Sequence, residues 1–161
     1  MDIIKQQGQK ECLRGEASPL GASLKADGVN FAIFSQYAQE VFLLLFDDAD
    51  SPATDTIKLN RTDNTWHVFV KGIKAGKFYG YKTNGEYAPN EGKRFNPYKL
   101  LIDPYAKAIT GKCKDHENLI FAYDLNSEIP DISWFGRHLD TPWQDMHYCA
   151  GRSVNILWGG A

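Results

Sequence analysis

Short β-strand patterns recur along the first half of the chain and limit what it can fold into. Segments rich in β-branched and aromatic residues occur at about 8–12-residue spacing, over residues 29–35, 40–46, 56–59, 65–70 and 77–83. Residue types that favour turns separate them, as at Asn84-Gly85. The pattern predicts an all-β fold, an immunoglobulin-like β-sandwich followed by a loop-rich C-terminal extension.

The length of 161 residues suits one domain with a tail, or one domain and a fragment of another. Aromatic residues make up 13% and apolar residues 43% of the chain, which favours a packed globule over a disordered segment. We divide the sequence into a leader over residues 1–14, a sandwich over residues 15–110, and a linker with a divergent tail over residues 111–161.

Charge and hydropathy exclude several classes of partner. The formal net charge is −2 and no basic stripe is present, so we expect no nucleic-acid partner. No apolar run approaches the ~20 residues of a membrane span, and the N-terminus lacks the apolar core of a signal peptide. Three widely spaced cysteines do not suggest a disulfide framework. We therefore expect a cytoplasmic protein.

The segment 92–109 combines two prolines with a short apolar run. Pro97 and Pro104 each push the preceding residue into an extended conformation. The apolar run 100–102 is too short for a free helix or a central strand, which indicates a rigid segment pressed against another surface. The apolar character of both faces of segment 40–46 also predicts a strand covered on its second side by a neighbour.

Segment 92–109, which reads GKRFNPYKLLIDPYAKAI, resembles the end of the N-terminal domain in glycogen-debranching and isoamylase-type enzymes, where it leads toward the catalytic barrel. Segments 27–35, 66–70 and 76–85 are similar to successive strands of a family 48 carbohydrate-binding module. The resemblance extends from about residue 15 to about residue 123. Residues 151–161 do not resemble the start of the family's barrel, which would fit a truncated or frame-shifted end.

Catalysis by this chain alone is not expected. Glycoside hydrolysis requires two carboxyl groups with separately tuned acidities. The resemblance implies that these groups lie on a barrel, and such a barrel takes ~250 residues. Too few residues follow Ile109 to form it. The resemblance therefore implies a non-catalytic module whose parent enzyme acts on α-1,6-glucosidic branches, with no catalytic residue and no cofactor on this chain.

Metal ligation is a weaker possibility. Cys113-x-x-His116 and His147-x-Cys149 offer the chemistry of a tetrahedral zinc site, but their spacing is not that of a common zinc finger. A small zinc protein therefore remains an alternative, while we expect no metal. His67 alternates with apolar residues in a strand pattern, which favours an outward-facing side chain over a ligand.

Sugar-binding modules stack aromatic rings on glucose units and bind the hydroxyl groups with nearby polar groups. The resemblance implies a site with two tryptophans and a lysine. Tyr87 stands at the second aromatic position, Gly80 at the lysine position, and loop 47–52 holds no aromatic residue. We expect weak binding of glycogen or amylopectin at best, through Tyr87. Trp66 is a second candidate platform, with burial in the core as its alternative reading.

Two interpretations of the function follow. In the first, the module docks on the barrel of its parent enzyme and helps to place branched α-glucan. Arginine and aromatic residues dominate interface energetics, which selects the candidates Arg94, Phe95, Asn96 and Tyr105. The alternative is that Phe95 and Leu101 only close the bottom of the sandwich itself. In the second interpretation, the chain is a self-sufficient but weak glycogen- or starch-binding module.

Overall fold

The computed structural model describes residues 10–48, 51–95, 97, 100–110 and 154–156. Its strands are β1 (Cys12–Leu13), β2 (Gly21–Lys25), β3 (Gly28–Phe34), β4 (Glu40–Phe46), β5 (Asp55–Lys58), β6 (Asn60–Thr62), β7 (Thr65–Lys71), β8 (Phe78–Asn84), β9 (Tyr87–Ala88), β10 (Lys93–Arg94), β11 (Ile109–Thr110) and β12 (Val154–Ile156). A 3-10 helix spans Pro89–Glu91, and these described ranges contain no α-helix. The predicted all-β class is confirmed.

The strands form two antiparallel sheets and a small ribbon. The first sheet has the order β1-β7-β3-β2, with β6 also paired to β7. The second has the order β11-β12-β8-β4-β5, and β9 pairs with β10 in the ribbon. Long central pairs hold each sheet, β3 with β7 and β4 with β8, each in register over seven residues. The two sheets lie face to face as a sandwich.

The core lies between the sheets, where every second residue of the central strands points inward. It contains Val29, Phe31 and Ile33 of β3, Trp66, Val68 and Val70 of β7, Val41, Leu43 and Leu45 of β4, and Tyr79 and Tyr81 of β8. The rings of Phe31 and Tyr79 meet edge to face with centroids 5.1 Å apart, and those of Tyr79 and Tyr81 at 5.9 Å. This aromatic contact joins the two sheets.

The chain before β2 is part of the sandwich. Strand β1 pairs with β7, with Cys12 opposite Val70. The amide of Glu16 donates to Asn30 Oδ1 at 2.8 Å, and Asn30 Nδ2 donates to the Glu16 carbonyl at 2.9 Å. Gly15, with φ at 76°, approaches so closely that a Cβ there would lie 2.7 Å from Asn30 Oδ1. The predicted leader boundary at residue 14 therefore falls inside a segment that packs on the first sheet.

His67 points away from the core, as predicted, but it is not exposed. Its relative exposure is 1%, because Arg14 and β6 cover the outer face of β7. His67 Nδ1 lies 2.9 Å from the Arg14 carbonyl oxygen, and Nε2 lies 2.9 Å from Thr62 Oγ1. Since a carbonyl only accepts, Nδ1 carries a proton and donates it. The predicted outward direction of His67 is therefore correct, while no sequence pattern indicated the cover that buries it.

Candidate carbohydrate-binding site

Segment 100–103 presses against the second sheet of the same sandwich. Leu100 packs with Leu44 and Phe46 on the outer face of β4. The amide of Leu101 donates to the Tyr81 carbonyl at 2.7 Å, and the Tyr81 amide donates to the Leu101 carbonyl at 2.9 Å. This segment is the neighbour that the apolar outer face of β4 predicts.

The glycine at position 80 makes this packing possible. A Cβ at Gly80 would lie 2.8 Å from Leu100 Cδ1 and 3.3 Å from the Leu101 carbonyl oxygen. A side chain at this position would require Leu100 to move, so the observed packing of Leu100 depends on glycine here. A glycine within a strand pattern often marks a close approach of this kind. That signal could have indicated the covered face from the sequence.

Asp103 anchors the end of the same segment inside the protein. Its side chain is 2% exposed. Tyr79 Oη donates to Asp103 Oδ2 at 2.8 Å, and the Tyr105 amide donates to Oδ1 at 2.8 Å. Burial raises the pKa of Asp103 above its ordinary value, and the two hydrogen bonds lower it by less. Burial likewise raises the pKa of Tyr79. This carboxyl group holds the fold together.

Tyr87 lies in the ribbon just after the Asn84-Gly85 turn. It is half-buried and stands opposite Arg94 across the β9–β10 pair. Phe95 fixes the base of the ribbon, because its ring lies where a side chain on Gly85 would be, with Cδ2 at 2.6 Å from an added Cβ. Tyr87 thus keeps part of its surface accessible, on a ribbon held against the sandwich.

Trp66 needs a correction as a sugar platform. It is 4% exposed and belongs to the core between the sheets. Its indole Nε1 donates to the Ser35 carbonyl at 3.0 Å, and the Arg61 guanidinium lies 5.3 Å from the ring centroid. A buried ring offers no face to a glucose unit. The alternative reading, a core tryptophan, is the one that describes its position.

The candidate docking residues occupy different environments. Phe95 is 9% exposed and belongs to the core, and Leu101 packs against that core. For Phe95 the docking role is therefore corrected to closure of the sandwich itself. Tyr105 is 52% exposed and lies against Gly21, where an added Cβ would be 2.8 Å from Tyr105 Cβ. Arg94 contributes its backbone to β10, and Asn96 lies outside the described residues.

A concave surface adjoins Tyr105. It encloses a cavity of about 330 Å³ lined by Ile102, Asp103, Pro104, Ala106, Lys107, Ala108 and Ile109. Most of these side chains are apolar, and Ile109 is 44% exposed at its rim. Tyr105 and this cavity belong to one continuous stretch of the chain, which we call the 102–109 surface. Among the described residues, it exposes apolar groups of Tyr105 and Ile109.

The described residues show neither a metal-ligating cluster nor a membrane-spanning helix. Within the part of the chain that the structure describes, no group of three or more His, Cys, Asp or Glu side chains could hold a metal ion. The cysteine and histidine pairs at 113–116 and 147–149 lie outside that part. Among the described residues, no helix has the length and apolar character that crossing a membrane requires.

Comparison with known families identifies the class of protein. The family described as "Carbohydrate-binding module 48 (Isoamylase N-terminal domain)" matches residues 19–106. The match covers more than half of the chain, so the protein belongs to this family. The residues matched contain the central strands of both sheets and the segment that covers β4 and β8.

The chain is also similar to individual proteins of known name. The chain is 42% identical over 110 residues to proteins named glycogen debranching enzyme from Salmonella enteritidis PT4 and Salmonella typhi. The aligned region is 68% of this chain and only 17% of each relative, so the chain spans about a sixth of their length. Among solved structures, a pullulanase from Paenibacillus barengoltzii aligns with 25% identity and a TM-score of 0.47, over 57% of this chain and 13% of that one.

Proposed function

We propose that this chain is the non-catalytic N-terminal module of a glycoside hydrolase that cleaves α-1,6 branches in glycogen-type glucan, and that it docks on the catalytic barrel of that enzyme. One observation carries the proposal: a family 48 module matches over residues 19–106, and the relatives it aligns with are glycogen debranching enzymes of which it covers 17%. The cytoplasmic location stays a prediction from the sequence.

The carboxyl groups of the described chain support a non-catalytic role. A glycosidase needs two carboxyl groups facing one cleft across the scissile bond. Asp103, the most buried carboxyl group described, accepts hydrogen bonds from Tyr79 and from the Tyr105 amide and has a structural role. Asp55 accepts a hydrogen bond from its neighbour Thr54 at 3.0 Å. Both groups serve the module's own fold.

The 102–109 surface is the part of the module that we assign to docking. It is apolar and concave, and its exposed aromatic residue is Tyr105. Its occupant is the barrel, because in the relatives most of the chain lies outside the region that this module matches. Arg94 and Asn96 remain predicted docking residues.

Docking is tested by mixing this chain with a separately produced barrel domain of a debranching enzyme and measuring heat of association. We expect a complex at micromolar concentration, weakened about tenfold or more by Tyr105→Ala, as for an aromatic residue at an interface centre. Phe34→Ala is the matched control, because Phe34 is exposed to a similar extent, 56% against 52%. Absence of a complex with the unaltered chain would rule out docking.

A second candidate function is weak glucan binding by the module alone, favoured by the accessible part of Tyr87 on its ribbon. We expect glycogen in a native gel to retard the chain, and Tyr87→Ala to reduce the retardation about three- to tenfold, the range of one aromatic contact. Tyr87→Phe, which keeps the ring, should behave as the unaltered chain. Equal retardation of all three proteins would remove Tyr87 from the site.

A further inference from the structure

We propose that Tyr37 is a stacking platform for a glucose unit of an α-1,4-linked glucan. This inference rests on the proposed function, because it takes the module to contact α-glucan. Tyr37 lies in the loop between β3 and β4, and its side chain is 54% exposed. An exposed tyrosine ring offers a flat apolar face, with a hydroxyl group at its edge, to the C–H face of a sugar.

The loop that carries Tyr37 is held by hydrogen bonds to the residues before and after Tyr37 in the chain. Arg61 donates to the carbonyl of Gln36 at 3.1 Å and to the carbonyl of Ala38 at 3.4 Å, the two residues that flank Tyr37. Trp66 Nε1 donates to the Ser35 carbonyl at 3.0 Å. Trp66 therefore belongs to the support of the platform, although its own ring is buried.

Two further contacts fix the other end of the loop. The Gln39 amide donates to the Asn84 carbonyl at 2.8 Å, and Ala38 is 1% exposed in the core. A backbone that is already ordered loses little conformational entropy when its side chain binds a ligand. A sugar contact made by Tyr37 would therefore cost less conformational entropy than the same contact made from a loose loop.

One ammonium group lies over the ring and is paired with two carboxylates. Lys93 Nζ lies 5.9 Å from the Tyr37 ring centroid. It donates to Glu86 Oε2 at 2.9 Å and to Glu91 Oε2 at 2.6 Å. The hydrogen bond from Lys93 keeps the pKa of Glu91 below its ordinary value, so this carboxylate is an acceptor at neutral pH. The ammonium and the carboxylates offer donors and acceptors to sugar hydroxyl groups.

The surroundings of Tyr37 favour a carbohydrate over a protein partner. Lysine and glutamate are depleted at the centres of protein interfaces, yet Lys93 lies over this ring and forms ion pairs with Glu86 and Glu91. A sugar requires this combination of one ring face with several hydrogen-bonding groups. The experiment must therefore distinguish sugar binding by Tyr37 from contact with a protein partner.

Tyr37 and Tyr87 belong to the same end of the sandwich. The hydrogen bond between Gln39 and Asn84 brings the Tyr37 loop to the end of β8, three residues before Tyr87 begins the ribbon. Lys93, which contacts the Tyr37 ring, pairs with Ala88 in the same ribbon. Two stacking contacts on one glucan chain would offset more of the cost of association than one.

The experiment is native electrophoresis of the full chain in gels of graded glycogen content. We expect Tyr37→Ala to raise the apparent dissociation constant about three- to tenfold, the range of one aromatic contact, and Tyr37→Phe to leave it nearly unchanged. Phe34→Ala is the matched control, since Phe34 is 56% exposed, three residues away, and outside this cluster. Melting curves of each variant check that the fold is retained.

The outcomes separate the inference from the proposed function. Unchanged retardation of Tyr37→Ala, or an equal loss in Phe34→Ala, would overturn the inference. Loss in Tyr87→Ala alone would also overturn it and leave the proposed function intact. Weaker association with the barrel domain but unchanged retardation would assign Tyr37 to protein contact instead. No retardation of the unaltered chain would overturn both the inference and the proposed glucan binding. The docking proposal would be unaffected, because association with the barrel domain is measured without glucan.

Discussion

At the scale of single residues, the two inward-facing tyrosines of β8 differ in one respect. Tyr79 donates its hydroxyl hydrogen to Asp103 at 2.8 Å. Tyr81 is fully buried, and its hydroxyl group finds no hydrogen-bond partner among the described residues. The two side chains share a strand face and a core, so they form a natural pair for measuring what a buried hydroxyl contributes.

We expect Tyr79→Phe to lower the free energy of unfolding by about 1–3 kcal/mol, because it removes the hydrogen bond that the Tyr79 hydroxyl donates to the buried Asp103 carboxyl group. Tyr81→Phe should leave stability unchanged or raise it by up to about 1 kcal/mol, because it removes an unsatisfied buried group. Urea unfolding of both variants and the unaltered chain gives the comparison. Equal losses in the two variants would contradict the difference in hydrogen bonding described above.

At the scale of elements, the contact between β8 and segment 100–103 depends on the absence of a side chain at Gly80. An added Cβ would meet Leu100 Cδ1 at 2.8 Å. Gly80→Ala should therefore displace Leu100, while Leu100→Ala should relieve the clash. In a double-mutant cycle, we expect the double variant to lose about 1 kcal/mol less free energy of unfolding than the two single variants lose together. Additive losses, measured by urea unfolding, would show that Gly80 and Leu100 do not interact.

The long strands were predictable because their signal is local. Segments 29–35, 40–46, 65–70 and 77–83 correspond to β3, β4, β7 and β8 within one residue at each end. β2 was missed because it lacks the β-branched and aromatic residues that mark a strand. β1 and β6 were also missed, since two or three residues with no apolar alternation carry no periodic signal. The pairing of β1 and β6 with β7 is set by tertiary packing. The same packing buries His67, and the local strand pattern does not indicate that burial.

The candidate site was less predictable than the fold. The resemblance assigned Tyr87 to an aromatic position and Gly80 to a lysine position, and a sugar-binding role for Tyr87 stays a prediction. What covers Gly80 lies twenty residues further on at Leu100, a distance at which no local pattern operates. Tyr37 gave no sequence signal either, because the hydrogen bonds that hold its loop come from Arg61 and Trp66, which are distant from it in sequence.

At the scale of the whole molecule, the chain covers the outer faces of its own sandwich. Residues 14–16 lie on the first sheet and Leu100 lies on the second. The proposed contacts use two of the described surfaces, the loop end with Tyr37 and Tyr87 and the 102–109 surface. These two surfaces separate the proposed glucan contact from the proposed barrel contact, so each can be altered without the other.

The cover at Leu100 has a practical consequence for protein engineering. A graft of this sandwich that stopped at the ribbon would retain every core residue of the long strands. It would also leave Leu44 and Phe46 facing water, and the backbone of Tyr81 with no partner in place of Leu101. An exposed apolar surface next to an unpaired strand edge favours aggregation. A transplantable unit must therefore carry its covering segment with it.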